Sequence, residues 1–134
     1  MMRLRQRRPR LRDKGYLAFL HDIRVPCILT GCGGIELAHI KGGDPRMGCE
    51  SSHSRRPDDW RVLPLRADLH QGGRDAQHSN GERRWWAARG IAEPLMAAAA
   101  LHLAYLTVED DYECERAIFG ILEAWRQQAE ASAP

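Results

Sequence analysis

Three histidines are the side chains of this chain whose types and spacing could do chemistry together. His39 follows a short apolar segment, His70 follows an apolar run that begins at Val62, and His78 precedes a predicted helix. One neutral imidazole can accept a proton from water, while two others with a carboxylate can hold a divalent cation against a phosphate oxygen. The set suggests a one-metal phosphodiesterase site, although any single histidine is more often a surface or core residue.

The first elements that would position these side chains are a helix and a hairpin. Apolar residues at helical spacing predict a helix from about 13 to 22. Two apolar segments, 25–29 and 35–40, flank a glycine-rich turn and predict a β-hairpin whose second strand carries His39. The hairpin would place His39 on a rigid element.

Three further helices are predicted after a long loop at 41–59. Ser79 and Glu82 have the spacing of a capping box, which predicts a helix that starts near Asn80 and ends at Gly90. Pro94 opens an apolar run, predicting a helix to Leu106 that is buried nearly all round, and an acidic start at 109–111 predicts the last helix.

The order of hairpin, histidine, loop, strand, histidine and helix resembles the ββα-metal core of the HNH nucleases. The resemblance covers residues 16 to 106 and is closest to phage and prophage HNH-like proteins related to recombination-enhancement nucleases. The motifs that carry it are Ala38-His39-Ile40, Pro57-Asp58-Asp59, Val62-Leu63-Pro64-Leu65, His70, Gly72-Gly73, Ala76-Gln77-His78, Glu82 and Trp85-Trp86. It implies an α+β fold: a ββα-metal (HNH-like) core with an N-terminal helix and added C-terminal helices.

The resemblance implies a metal-dependent DNA endonuclease acting in phage recombination or DNA processing. His39 would be the general base, and His70 and His78 would bind the cation. The asparagine of the HNH motif would fall near Arg61 and is absent, and Ala38 stands where many relatives have a metal ligand. Asp58 or Asp59 could replace the asparagine, as a metal ligand or by orienting His39, and we favour Asp59. The cofactor would be one divalent ion, Mg²⁺, Mn²⁺ or Zn²⁺.

Arginines near the proposed groove would contact DNA phosphates, or else form ordinary surface charge. They are Arg55, Arg56, Arg61 and Arg66. Charge also divides the chain: residues 1–14 hold seven Arg or Lys and one Asp, whereas 107–134 hold seven acidic and two basic residues. A basic arm of this kind suits phosphate contacts, or is a solvated tail.

The expected organisation is a basic arm at 1–14, an HNH-like nuclease domain at 15–106, and an acidic C-terminal helix at 107–134 packed on the same domain. DNA is the expected partner. A homodimer through the apolar helix and recombination proteins are further partners left open. No apolar run reaches about 20 residues and no signal peptide is recognisable, so we expect a cytoplasmic protein without membrane contact.

Two other functions compete with the nuclease. One is a catalytically inactive HNH-fold protein that binds DNA or assists recombination. The other is a zinc-stabilised interaction module, because Cys27 and Cys32 lie where many HNH proteins carry half of a four-cysteine zinc site. Arg66 and Leu69 stand where the second cysteine pair would fall, so we expect Cys27 and Cys32 to be packed thiols.

Overall fold

The computed structural model describes residues 11–43, 45–47, 57–70 and 81–133, which form an α+β fold. Its elements in chain order are α1 (Lys14–Asp22), β1 (Ile35–His39), a short 3-10 helix (Pro45–Met47), β2 (Val62–Arg66), α2 (Ala67–His70), α3 (Glu82–Ala88), α4 (Pro94–Thr107) and α5 (Asp111–Ser132).

The two strands pair with each other in an antiparallel sheet. His39 at the end of β1 faces Val62 at the start of β2, and Ile35 faces Arg66 at the opposite end. The first four residues of β2, from Val62 onward, are all buried, so this strand runs through the core. The sheet therefore has two distinct ends, one at His39 and one at Arg66.

The predicted hairpin between 25–29 and 35–40 is wrong, because β1 pairs with β2. Residues 27 to 32 instead fold on themselves: the N–H of Cys27 donates to the carbonyl of Cys32 over 2.8 Å, and that of Gly31 donates to the carbonyl of Cys27 over 2.8 Å. Ile28 N–H donates to the carbonyl of Pro64 over 2.9 Å, which fastens this turn to β2. Turn residues between two apolar segments thus marked a closed loop.

The predicted first helix is confirmed as α1, and Asp13 caps it. Its carboxylate accepts from the N–H of Tyr16 over 3.1 Å, as expected for an acidic N-cap. Its second oxygen lies 2.9 Å from Nε2 of His102 on α4. The His102 ring stacks against Trp60 at 6.4 Å between centroids. Asp13 thus ties α1 to α4.

The helix that carries the two tryptophans begins at Glu82, with Gly81 as its N-cap. The predicted capping box involves Ser79, which lies outside the described residues. Trp85 and Trp86 are both buried, with their rings in a T-shaped contact. Gly90 ends the helix at φ +88°, where a Cβ would lie 2.2 Å from the carbonyl oxygen of Ala129. Only glycine suits that backbone and that approach.

The last two helices, α4 and α5, pack against each other. Pro94 occupies the first turn of α4, as predicted, and Asp110 caps α5 by accepting from the N–H of Glu113 over 2.8 Å. The prediction that α4 is buried nearly all round is wrong, because Leu103 and Leu106 are each 61% exposed. One stripe of α4 faces away from the core.

Candidate active site

The His39 end of the sheet collects several of the residues that the sequence singled out. Pairing continues one residue past β1, where the N–H of Ile40 donates to the carbonyl of Arg61 over 2.7 Å. Asp59 lies two residues before Arg61 and therefore belongs to the same end of the sheet. His39 itself is partly exposed. The structure thus gathers His39, Asp59 and Arg61 at one edge of the fold.

Glu82 connects the first turn of α3 to Lys41 and Gly42, which follow β1 in the chain. Its Oε2 accepts from the N–H of Lys41 over 3.0 Å, and its Oε1 accepts from the N–H of Gly42 over 2.8 Å. A Cβ at residue 42 would lie 3.2 Å from Oε1, so a side chain there would press on the carboxylate. A charged acceptor with two backbone donors makes a strong, directional contact.

Arg61 holds the same two residues from their carbonyl side. One guanidinium nitrogen donates to the carbonyl oxygen of Lys41 over 3.2 Å and to that of Gly42 over 2.7 Å. Arg61 is only 4% exposed, so a phosphate could reach this guanidinium only if the turn opened. Its predicted contact with DNA stays a prediction, and its visible contribution is to fix the backbone beside His39.

The two aspartates of this end fasten the chain that precedes α1. Asp59 is 2% exposed, and its Oδ2 accepts from the N–H of Asp13 over 2.8 Å. Asp58 accepts through Oδ1 from the N–H of Leu11 over 2.8 Å. A buried carboxylate held in this way has a fixed position, and Asp59 lies at the same end of the sheet as His39. Its metal-binding role stays a prediction.

His70 lies at the opposite end of the sheet from His39. It is 6% exposed, and its Nδ1 is 3.5 Å from Oε1 of Glu36. Glu36 and His39 are three residues apart on β1, which in a regular strand means about 10 Å and opposite faces. The contact of His70 with Glu36 therefore lies on the face of β1 opposite to His39.

Arg66 also belongs to this second end and is engaged on the surface. Its guanidinium binds Asp68 through two hydrogen bonds of 2.5 and 2.9 Å. The hydrogen bond from Arg66 holds the pKa of the Asp68 carboxyl below its usual range. The remaining predicted site residues lie outside the described residues. They are His78, Arg55 and Arg56.

The described residues do not by themselves complete a cation site. Within 11–43, 45–47, 57–70 and 81–133, no three His, Cys, Asp or Glu side chains come together as metal ligands. Asp59 and His39 nevertheless have donor types that suit a divalent ion and its bound water, and His78 would supply an imidazole. Cys27 is buried, as predicted for a packed thiol, but the same prediction is wrong for Cys32, which is exposed at the end of the 27–32 turn.

Comparisons with protein-family models, with curated proteins and with solved structures find no match for this chain. Among the helices of the described residues, none combines the length and the apolar character needed to cross a membrane.

Two residues that matter at the sheet ends were not singled out as site residues from the sequence. Glu82 was assigned to a capping box with Ser79, which lies outside the described residues, and its contacts with residues 41 and 42 were not predicted. Glu36 was not assigned at all, because a charged residue between Ile35 and Leu37 has the ordinary alternation of a half-exposed strand and gives no signal of its contact with His70. Both contacts join segments distant in sequence, which local spacing does not reveal.

Proposed function

We propose that this chain is a metal-dependent endonuclease that hydrolyses phosphodiester bonds in DNA, with His39 as general base. The observation that supports this most is the hold of Glu82 on residues 41 and 42. It fixes the start of α3 beside the strand end that carries His39. A strand histidine next to the entry of a helix is the arrangement that the ββα-metal resemblance requires.

We assign the cation to His78 and Asp59. His78 precedes Gly81, the N-cap of α3, by three residues and lies outside the described residues. The resemblance implies that it is an imidazole ligand, and Asp59 supplies an oxygen donor at the His39 end of the sheet.

The chemistry assigned to the chain is a proton transfer. The imidazole of His39 takes a proton from water as the water oxygen forms its bond to phosphorus and the bond to the leaving sugar oxygen breaks. A divalent cation, when bound, stabilises the charge that develops on the phosphate. The rigid backbone at 41–42 keeps His39 in position, which matters because misplacement by about 1 Å can cost about 10²-fold in rate.

We assign His70 a role in the fold. Its contact with Glu36 lies about 10 Å along β1 from His39, on the other face of the strand. The metal-ligand role that the resemblance implies for His70 remains a prediction, and the cation dependence of a His70 variant tests it.

Cleavage of supercoiled plasmid and of labelled single-stranded DNA tests the proposed function. Wild type and His39→Ala are compared with EDTA, Mg²⁺, Mn²⁺ and Zn²⁺ side by side. We expect cation-dependent cleavage by wild type and its loss in His39→Ala, with DNA binding and thermal stability retained.

Absence of cleavage with every cation, together with retained DNA binding, would contradict the proposal. It would favour the catalytically inactive DNA-binding protein instead. Unfolding of a Cys27→Ser and Cys32→Ser double variant would favour the zinc-stabilised module.

A further inference from the structure

A cavity of about 500 Å³ opens beside the His39 end of the sheet. Its wall is built from three segments that meet there: the residues after β1, the first turn of α3 and the first turn of α4. They include Ile40, Gly42, Gly81, Glu82, Pro94 and Leu95. This volume lies within the range of pockets that bind small molecules, roughly 300–1,000 Å³. Ile40 directly follows His39 in the chain, so the cavity lies at the same end of the sheet as the proposed active site, with the side chains of Ile40 and His39 on opposite faces of the strand.

One part of the cavity wall is apolar. Ile40 and Leu95 are buried side chains, and Ala92 and Pro94 extend the same wall toward solvent. Aliphatic side chains of this kind can cover the flat face of a nucleobase that has left its stack. An unpaired base is therefore better suited to this wall than a sugar or a free phosphate.

The charges around the cavity favour an anion. Both carboxylates of the wall have partners: Glu82 accepts from two backbone N–H groups, and Glu93 is paired with Arg46. Arg83 and Arg84 also line the cavity, are exposed, and make no hydrogen bond or ion pair with any described residue. The cavity thus combines an apolar wall with two arginines that are not neutralised by the described part of the chain.

We propose that this cavity binds one unpaired nucleotide of the DNA strand, with its base against the apolar wall and its phosphate at Arg83 and Arg84. The inference rests on the proposed function for its choice of DNA, and deepens it by naming the substrate class. For a neighbouring phosphate to reach His39, a strand held in this way has to pass around the end of β1, because Ile40 and His39 lie on opposite faces of that strand. A base in a paired, stacked duplex cannot enter the cavity without being extruded, so the site selects unpaired or frayed DNA.

The experiment measures binding without cleavage, in EDTA, by fluorescence anisotropy. Three labelled ligands of equal length are compared: a single strand, the same backbone without bases, and the fully paired duplex. Only the base-bearing strand can bury a base against the apolar wall. We therefore expect wild type to bind that strand about tenfold more tightly than the abasic strand, and more tightly than the duplex.

Ala92→Glu places a carboxylate at the mouth of the cavity, and Ala88→Glu places the same group on the exposed surface of α3 outside the cavity. We expect the preference for bases to fall toward one in Ala92→Glu and to stay as in wild type in Ala88→Glu. Arg84→Gln should weaken binding of both the base-bearing and the abasic strand and leave the ratio of their affinities unchanged. The control is Arg116→Gln, an exposed arginine outside the cavity, which should bind both strands as wild type does.

Equal binding of abasic and base-bearing strands by wild type would overturn the inference, as would tighter binding of the duplex. These results are separable from failure of the proposed function. A protein that prefers bases but cleaves nothing retains the nucleotide site without the nuclease, and one that cleaves without preferring bases retains the nuclease alone.

Discussion

The two ends of the β1–β2 sheet both carry a histidine, an arginine and a carboxylate, yet they are built differently. At the His39 end, Arg61 and Glu82 form hydrogen bonds with backbone atoms of residues 41 and 42. At the other end, side chains pair with side chains: His70 with Glu36, and Arg66 with Asp68. The first arrangement fixes a turn beside a cavity, whereas the second joins neighbours on or near the surface.

This difference separates residues that the sequence treats as equivalent. His39 and His70 belong to the same motif by resemblance, and Arg61 and Arg66 to the same set of expected phosphate contacts. Their surroundings divide them, because the first end has a cavity beside it whose two arginines no described residue neutralises, whereas Arg66 at the second end is paired with Asp68. We therefore place the chemistry at the His39 end, and each variant below tests that division.

Among the variants that keep His39, the largest effect is expected from Glu82→Ala. It removes the acceptor of two backbone N–H groups. Hydrogen bonds to a charged group contribute about 1.5–3 kcal/mol each. Because Glu82 is partly exposed, we expect a loss of about 2–3 kcal/mol in total in the free energy of unfolding. Displacement of the turn should lower the cleavage rate on the order of 10²-fold at a temperature where the variant is folded.

Glu82→Gln is the matched control for that variant. An amide keeps one acceptor oxygen and loses the charge, so its losses of stability and rate should be intermediate. Denaturant unfolding and single-turnover cleavage measure the two quantities. Wild-type cleavage by a folded Glu82→Ala would show that the turn does not position His39.

A smaller effect on stability, and none on chemistry, is expected from His70→Gln. The side chain is 6% exposed and contacts Glu36, so its replacement should cost about 1–3 kcal/mol in the free energy of unfolding. Glu36 is 43% exposed, and Glu36→Gln should cost less than about 1 kcal/mol. A double-mutant cycle measures the coupling between the two.

Cation titrations of cleavage by the same variants distinguish the fold role of His70 from a ligand role. We expect the cation concentration for half-maximal cleavage to match wild type in both variants. A large rise in that concentration for His70→Gln would assign His70 to the metal site and would erase the distinction between the two ends.

The smallest effect is expected from Arg66→Ala, which removes an exposed ion pair. Since Arg66 lowers the pKa of Asp68, any stabilisation by the pair is present above the ordinary carboxyl pKa and is lost as the pH falls through the lowered one. Because both side chains of the pair are exposed, its contribution is small at any pH, and thermal unfolding at neutral pH should be nearly unchanged.

The salt dependence of DNA binding by Arg66→Ala tests the division between the ends through the phosphate contacts. Each phosphate contact contributes about 0.9 to the slope of log affinity against log salt for duplex DNA, and about 0.7 for a single strand. We expect the slope of Arg66→Ala to equal that of wild type. A decrease by about one contact would place DNA across the Arg66 end as well.

The elements that the sequence predicted correctly have local signals. Asp13 and Asp110 are acidic N-caps, Pro94 occupies a first turn, and Gly90 has a positive φ at a helix end. Each depends on residues within one turn of itself. The helices could therefore be placed from spacing and residue type alone.

The features that were missed depend on contacts distant in sequence. Residues 25–29 have the composition of a strand, but β1 pairs with β2, whose first four residues are buried. Glu82 has a local spacing from Ser79, but that spacing does not show that its carboxylate also reaches back about 40 positions to Lys41 and Gly42. Pairing and side-chain partners of this kind are decided by the whole fold, so that His39 and His70 could not be separated in advance.

The most direct test of the division is the single-turnover cleavage rate per DNA-bound protein for His39→Ala and His70→Ala, with and without added imidazole. Loss of a general base lowers the rate by about 10²–10⁴-fold. We expect such a loss in His39→Ala, restored in part by imidazole, and a near wild-type rate in folded His70→Ala. Cleavage at the wild-type rate by His39→Ala would contradict the assignment of the chemistry to its end of the sheet.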